Sequence, residues 1–256
     1  MTSAISIGIS GLAGWRVLQR TETRQIEATA KDPVIQRATA YFRENLTSET
    51  TAADLVGDYK MLQVALAAFG LEDDLPNKAF IRKVLDSDTG DSKSLANRLS
   101  DKRYLKLAKE FQNLADTEAT SNMVAEAYVQ QQFQKRVGEG NEAYRLALNA
   151  RKELQGFAAR TSSDRTMWYE VMANETLREV FEGAFGFSSS IANLSVDRQL
   201  DEFMSASDRI LGTSSFAEMS KPEVTDKLIT RYLALSQMQT SVSSNRYSAA
   251  LALLSR

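Results

Sequence analysis

The stretch "ALAAFGLEDDLPNKAFIRKVLD", Ala65 to Asp86, decides how the chain is read. Leu62, Leu66 and Phe69 lie at helical spacing on one face, with Ala65 beside them, and Gly70 follows as a residue that ends helices. Beyond "LEDDL", Pro76 and Asn77 precede Phe80, Ile81, Val84 and Leu85, whose spacing draws a second amphipathic stripe. Glu72, Asp73 and Asp74 then fall at a turn and a helix start, where negative charge complements the helix dipole. The stretch reads as a joint between two helices, with no ligand required.

The rest of the chain follows the same pattern. Only three prolines, Pro33, Pro76 and Pro222, interrupt 256 residues, and the segments between them are rich in Ala, Leu, Gln, Glu, Lys and Arg. Alternating β-branched runs are scarce, and no Asn-Gly or Asp-Gly hairpin signal occurs. The expected fold is all-α, a multi-helix bundle. Helices are predicted over Tyr104 to Leu114, Ser121 to Val137, Asn141 to Phe157 and Asp164 to Phe185. The last of these ends in "GAFGF", which echoes "AAFGL" at Ala67 to Leu71; "MLQVALAAFG" and "LREVFEGAFG" share an apolar pattern, a sign of weak internal duplication. A long C-terminal helix is predicted from Ser220, a candidate cap, through Pro222 onward. Along it Val224, Leu228, Leu235, Met238, Val242 and Ala249 follow steps of four, seven, three, four and seven. That seam suits a partner helix in this chain or in another subunit, and Leu228, Leu235, Met238 and Val242 are its candidate partner contacts. The expected organisation is a flexible segment over 1–30, a helical region over 31–160 and a second over 161–256, packed together as one globular unit.

Composition removes whole classes of chemistry. The chain has no cysteine and no histidine. Disulfides, thiol nucleophiles, Cys-containing zinc sites, His-ligated metals and the Ser-His-Asp triad are therefore excluded. Catalysis would have to rest on carboxylates, Lys, Tyr or Ser. Lys and Arg number 31 against 33 Asp and Glu, a formal charge of -2, so no global basic field draws the chain to nucleic acid. The apolar run from Ala4 to Trp15 has no preceding positive charge and is shorter than the ~20 residues a membrane span requires. Neither a secretory signal nor a direct membrane span is expected.

Several local patterns resemble sites and fail on context. "DSDTGDSKSLAN", Asp86 to Asn97, places its glycine fifth instead of sixth and ends on Asn97 where a calcium loop needs a bidentate glutamate. "GEGNEA", Gly138 to Ala143, has dinucleotide spacing but follows helix-forming sequence, so a helix break with Asn141 as the next cap is expected. "GISGLAG", Gly8 to Gly14, lacks the Lys-Ser/Thr ending of a phosphate loop and reads as a flexible or assembly-dependent segment. Glu72, Asp73 and Asp74 are expected to be solvated. Trp15, Trp168 and Tyr169 are expected in cores or interfaces, and Arg98, Lys102, Arg103, Lys106 and Lys109 on a charged helix face. No catalytic, cofactor-binding or metal-binding residue is nominated, and no cofactor is expected.

Four blocks, "KDPVIQRATAYFRENL" (Lys31 to Leu46), "DYKMLQVALAAFGLEDDLPNKAFIRKVL" (Asp58 to Leu85), "LANRLSDKRYLKLAKEF" (Leu95 to Phe111) and "VAEAYVQQQFQKRVGEGNEAYRLAL" (Val124 to Leu148), together resemble domain of unknown function 1217. Members of that family recur in flagellar gene clusters of alphaproteobacteria, so the resemblance implies a flagellum-related role and carries no catalytic motif. The segment from Ile5 to Gln25 and the Gln/Ser/Ala-rich segment from Arg231 to Ser255 are also similar to the ends of flagellar rod and hook axial proteins, which pair as helices in the assembled structure. The chain lacks the Asn-Ile-Ala-Asn segment of those proteins, and its middle is helical where theirs is β-rich. The expected function is a non-enzymatic structural or assembly protein of the bacterial flagellum, located in the basal body or exported through the flagellar apparatus. Its expected partners are flagellar proteins or itself through helical packing. A cytoplasmic export adaptor or chaperone is the alternative within this class, and a carboxylate-dependent hydrolase is the alternative outside it.

Overall fold

The computed structural model describes residues 5, 8, 10–112 and 114–254, with side chains described as far as residue 238. Among these described residues, fourteen α-helices follow in order: α1 (Gly11–Ala30), α2 (Pro33–Asn45), α3 (Ala52–Gly57), α4 (Tyr59–Ala68), α5 (Lys78–Leu85), α6 (Leu95–Arg98), α7 (Arg103–Gln112), α8 (Thr117–Gly140), α9 (Glu142–Phe157), α10 (Asp164–Ala173), α11 (Glu175–Phe185), α12 (Val196–Leu211), α13 (Phe216–Met219) and α14 (Pro222–Leu254). Two 3-10 turns, Glu72–Asp74 and Ser189–Asn193, complete the set, and no strand occurs among the described residues. The fold is all-α, as the sequence predicts.

Local chemistry sets the helix boundaries. Asp32 caps α2 by accepting the Val34 N–H at 2.8 Å, with Pro33 already at helical φ in the first turn. Thr51 and Asp54 form a reciprocal capping box on α3. At the joint of the opening stretch, Gly70 adopts φ +69, and the Leu71 N–H closes the end of α4 on the Leu66 carbonyl at 2.8 Å. Asn141 caps α9, as expected. The predicted helix from Asp164 to Phe185 is two helices: Asn174 leaves helical geometry, ends α10 and caps α11 by accepting the Leu177 N–H. Ser220 is not the cap of α14; its single hydroxyl proton is shared between the Leu154 and Phe216 carbonyl oxygens, both 2.7 Å away.

The chain divides into two compact units, residues 20–136, and residues 1–19 together with 137–256. The sequence-based boundary after residue 160 is displaced because α9 packs on α11 and α14 and belongs with them. The expectation of a flexible segment over 1–30 is also corrected for α1, which is helical with Trp15, Leu18 and Thr29 buried.

In the unit of residues 20–136, Ile35, Phe42, Leu55, Leu62, Leu66, Ile81 and Leu107 form one core with Val124 and Tyr128 of α8. The other unit is built around Trp168, which is fully buried against Phe181 at 5.2 Å and Phe216 at 5.1 Å between ring centroids. Its indole N–H donates to the Ser214 carbonyl at 2.9 Å, so the polar end of the ring is satisfied.

Candidate functional site

Helix α14 buries Thr225, Leu228, Ile229, Tyr232 and Leu233, a stripe that follows the helical repeat. This stripe packs on α9 and α11. Gly183 of α11 allows the closest approach, because a Cβ there would lie 2.8 Å from the Tyr232 ring. Arg231 donates to the Ala184 carbonyl at 2.6 Å, and Lys227 to the Leu211 carbonyl at 3.2 Å. Both cations thus meet carbonyls at or beside helix C-termini, where positive charge is favoured.

The seam proposed from sequence occupies another side of α14. Its mean direction lies roughly 100° around the helix from the buried stripe, at 100° per residue. Leu228, where the two overlap, is 1% exposed and is therefore a core residue, which withdraws it as a partner contact. Leu235 is half-buried at the edge of the stripe. Met238 is 63% exposed, the largest exposure among the large apolar side chains described. Val242 lies outside the residues whose side chains are described, on a helix whose backbone continues to Leu254.

The start of α1 meets α14 immediately before Met238. Gly11 has φ +67, and a Cβ on it would overlap the Gln237 side chain, 2.2 Å from its Oε1. The Gly11 carbonyl accepts the Tyr144 hydroxyl at 2.7 Å. Trp15 stacks obliquely on Tyr144 at 6.1 Å, and the Arg151 guanidinium lies 5.7 Å from the Trp15 ring centre. Burial pushes the Tyr144 hydroxyl above its ordinary pKa, which keeps it a donor to Gly11. "GISGLAG" thus contains a helix start tied to Tyr144, and at Gly11 both the left-handed backbone and the approach of Gln237 leave no room for a side chain. Sequence periodicity carried no signal for this contact, since its partners are more than 130 residues away.

Other candidates resolve into architecture. Glu72 pairs with Lys135 at 2.6 Å, and Asp74 accepts the Tyr104 hydroxyl at 2.5 Å and the Asn77 amide at 2.9 Å. These acids, expected to be solvated, tie the α4–α5 joint to α7 and α8. The loop from Asp86 to Asn97 is ordered by its own side chains: Asp88 accepts the Gly90 N–H, Asp91 the Lys93 N–H, and Asn97 donates to the Thr89 and Asp91 carbonyls. Within the basic cluster, Lys102 donates to the Asn97 and Leu99 carbonyls, and Arg103 pairs with Asp101 and reaches the Gly70 carbonyl.

Depressions lined by described residues in the unit of residues 20–136 include a cleft and a groove. A cleft of about 310 Å³ contains Asp86 and Asp88 beside Thr51 and Ser87, but both carboxylates are exposed, Asp86 3.7 Å from Arg82 and Asp88 bonded to the Gly90 N–H. A groove of about 680 Å³ is floored by Ile26, Ala30, Ala125 and Val129 and edged by Glu27, Glu126 and Arg43. No group of three or more metal-ligating side chains occurs among the described residues, and no helix is long and apolar enough to cross a membrane.

The sequence model of the family described as "Protein of unknown function (DUF1217)" matches residues 68–224, more than half of the chain. A crystal structure of a protein from Agrobacterium tumefaciens, solved as a structural genomics target, is similar over 93% of this chain and 97% of that one, with 27% identity and a TM-score of 0.75. No curated protein matches.

Proposed function

This chain belongs to the DUF1217 family, and on that premise we propose that it is a non-enzymatic flagellum-associated protein that works in structure or assembly through helix packing. The observation that carries the helix-packing part is the geometry of α14. The buried stripe that holds this helix to its own unit includes Tyr232 and Leu233, and Met238, farther along the same helix, is turned to solvent on a backbone that continues to Leu254. Apolar side chains on such a surface supply affinity, and neighbouring charges restrict which helices can pair.

The flagellar part rests on the resemblances of the sequence. It gains support from the meeting of the two ends: the first turn of α1 lies against Gln237 of α14. Flagellar axial proteins also bring their terminal helices together, although this chain lacks their Asn-Ile-Ala-Asn segment. Leu235, Met238 and Val242 are the proposed partner contacts, and the joint at Gly70 to Asn77 serves only to set one helix against the next.

Met238→Asp introduced into the native gene tests this reading. The variant is expected to accumulate at the normal level and melt as the parent does, because the site is exposed, yet to lose motility and association with its partner. Normal motility in a strain carrying both Met238→Asp and Leu235→Asp would overturn the assignment. Leu228→Asp serves as the internal contrast, since a charge at that buried site should prevent folding.

A further inference from the structure

We infer that the chain is a tandem repeat of one helical module in which each repeat lends the first part of its leading helix to the unit built by the other. The elements fall into two identical series. A long helix (α1, α8) is followed by a helix capped by Asp32 or Asn141, then by one whose cap, Thr51 or Ser163, accepts an N–H from the third helical residue. Asp58 then ends α3 and caps α4, and Asn174 ends α10 and caps α11.

Both α4 and α11 stop at a left-handed glycine, Gly70 at φ +69 and Gly186 at φ +71. In each case the next N–H, from Leu71 or Phe187, closes on the carbonyl five residues back, that of Leu66 or Glu182. A 3-10 turn, a helix, a four-residue helix and a final helix complete each series. Packing repeats as well. Helix α4 packs on α2 and α3 as α11 packs on α9 and α10, and α5 packs on α3 as α12 packs on α10. Capping motifs recur in many proteins, but the same eight-element order with the same packing partners is a property of a whole module.

The exchange is read from where the leading helices pack. Helix α1 runs directly into α2, yet its residues up to Gln19 belong to the unit of α9–α14. There Trp15 and Leu18 are 3% and 0% exposed. Helix α8 leads into α9, yet its residues up to Arg136 belong to the unit of α2–α7, where Val124 and Tyr128 enter the core. Neither unit therefore has a complete core without residues contributed by the other repeat. The consequence is thermodynamic: the two units unfold together, although each is compact.

Hydrogen exchange on the full chain tests this. In the parent protein the slowest amides of α4 and of α11 are expected to share one opening equilibrium, with equal dependence on urea. Leu18→Ala and Val124→Ala should each accelerate the slowest amides of both helices by the same factor, about 30-fold or more for a buried leucine. Separate opening equilibria in the parent, or acceleration confined to α11 by Leu18→Ala and to α4 by Val124→Ala, would overturn the obligate coupling. The parent measurement decides the matter even if a variant fails to fold.

Discussion

Gly183 and Tyr104 show at single positions what the chain's chemistry accomplishes. A methyl group at Gly183 would lie 2.8 Å from Tyr232 Cδ2 and 3.0 Å from Cε2, on a ring that is itself buried between helices. Gly183→Ala is therefore expected to destabilise the protein by about 1–3 kcal/mol, measured as a lower urea midpoint with an unchanged slope, despite the better helix propensity of alanine. Sequence could not show this: "GAFGF" reads as a helix end, and only the packed partner distinguishes Gly183 from Gly186. Tyr104 is the complementary case, a polar residue whose partner lies across a joint. Its hydroxyl donates to Asp74, and burial, with Asp74 adding to it, pushes the group up to about 12 from 10.0. The folded state holds this proton more tightly than the unfolded chain, so the stabilisation is complete below pH 10 and is lost as pH rises towards 12. Tyr104→Phe should lower stability at pH 7 by about 1 kcal/mol and flatten its decline between pH 10 and 11, measured by urea melts across that range.

Among the elements, those with strong periodicity and capping residues were legible in the sequence, and those broken by one polar residue were not. The helix end at Gly70, the cap at Asn141 and the long final helix agree with the structure because each depends on residues within one or two turns. The helix predicted over Asp164 to Phe185 overlooks the break at Asn174, because apolar residues at helical spacing stand on both sides of it; the stripe of Met167 and Val171 and that of Leu177, Val180 and Phe181 differ in direction by roughly 100° at 100° per residue. Asp58 and Asn174 each serve two helices, so Asp58→Ala and Asn174→Ala should each cost about 1–2 kcal/mol. Thr51→Ala, at a cap serving α3 alone, should cost less than Asp58→Ala in the same urea series. On α14, Leu228 of the seam belongs to the core of its own unit, and the sequence alone offers no way to tell a stripe packed within the chain from one a turn-fraction away.

At the scale of the whole molecule, composition determined the class and contacts determined the organisation. Helix-forming residues throughout and few prolines made an all-α fold readable, whereas the meeting of α1 with α9 and α14 depends on pairs more than 130 residues apart. The "MLQVALAAFG" and "LREVFEGAFG" echo was the visible part of a repeat that is otherwise carried by caps and packing, where side-chain identities differ. Tyr41, Tyr104, Tyr128, Tyr144 and Tyr232 all have pKa values raised in the fold, by burial or by a carboxylate partner. Global stability should therefore fall steeply above pH 10, with more than one proton released on unfolding, a slope obtained from melts at several alkaline pH values. Native cells with and without a functional flagellar export apparatus should be fractionated and the untagged protein followed. On the proposed flagellar role, the protein is expected to be recovered with basal bodies and to disappear from them when export is disabled; exclusively cytosolic recovery, unchanged in both strains, would overturn that role.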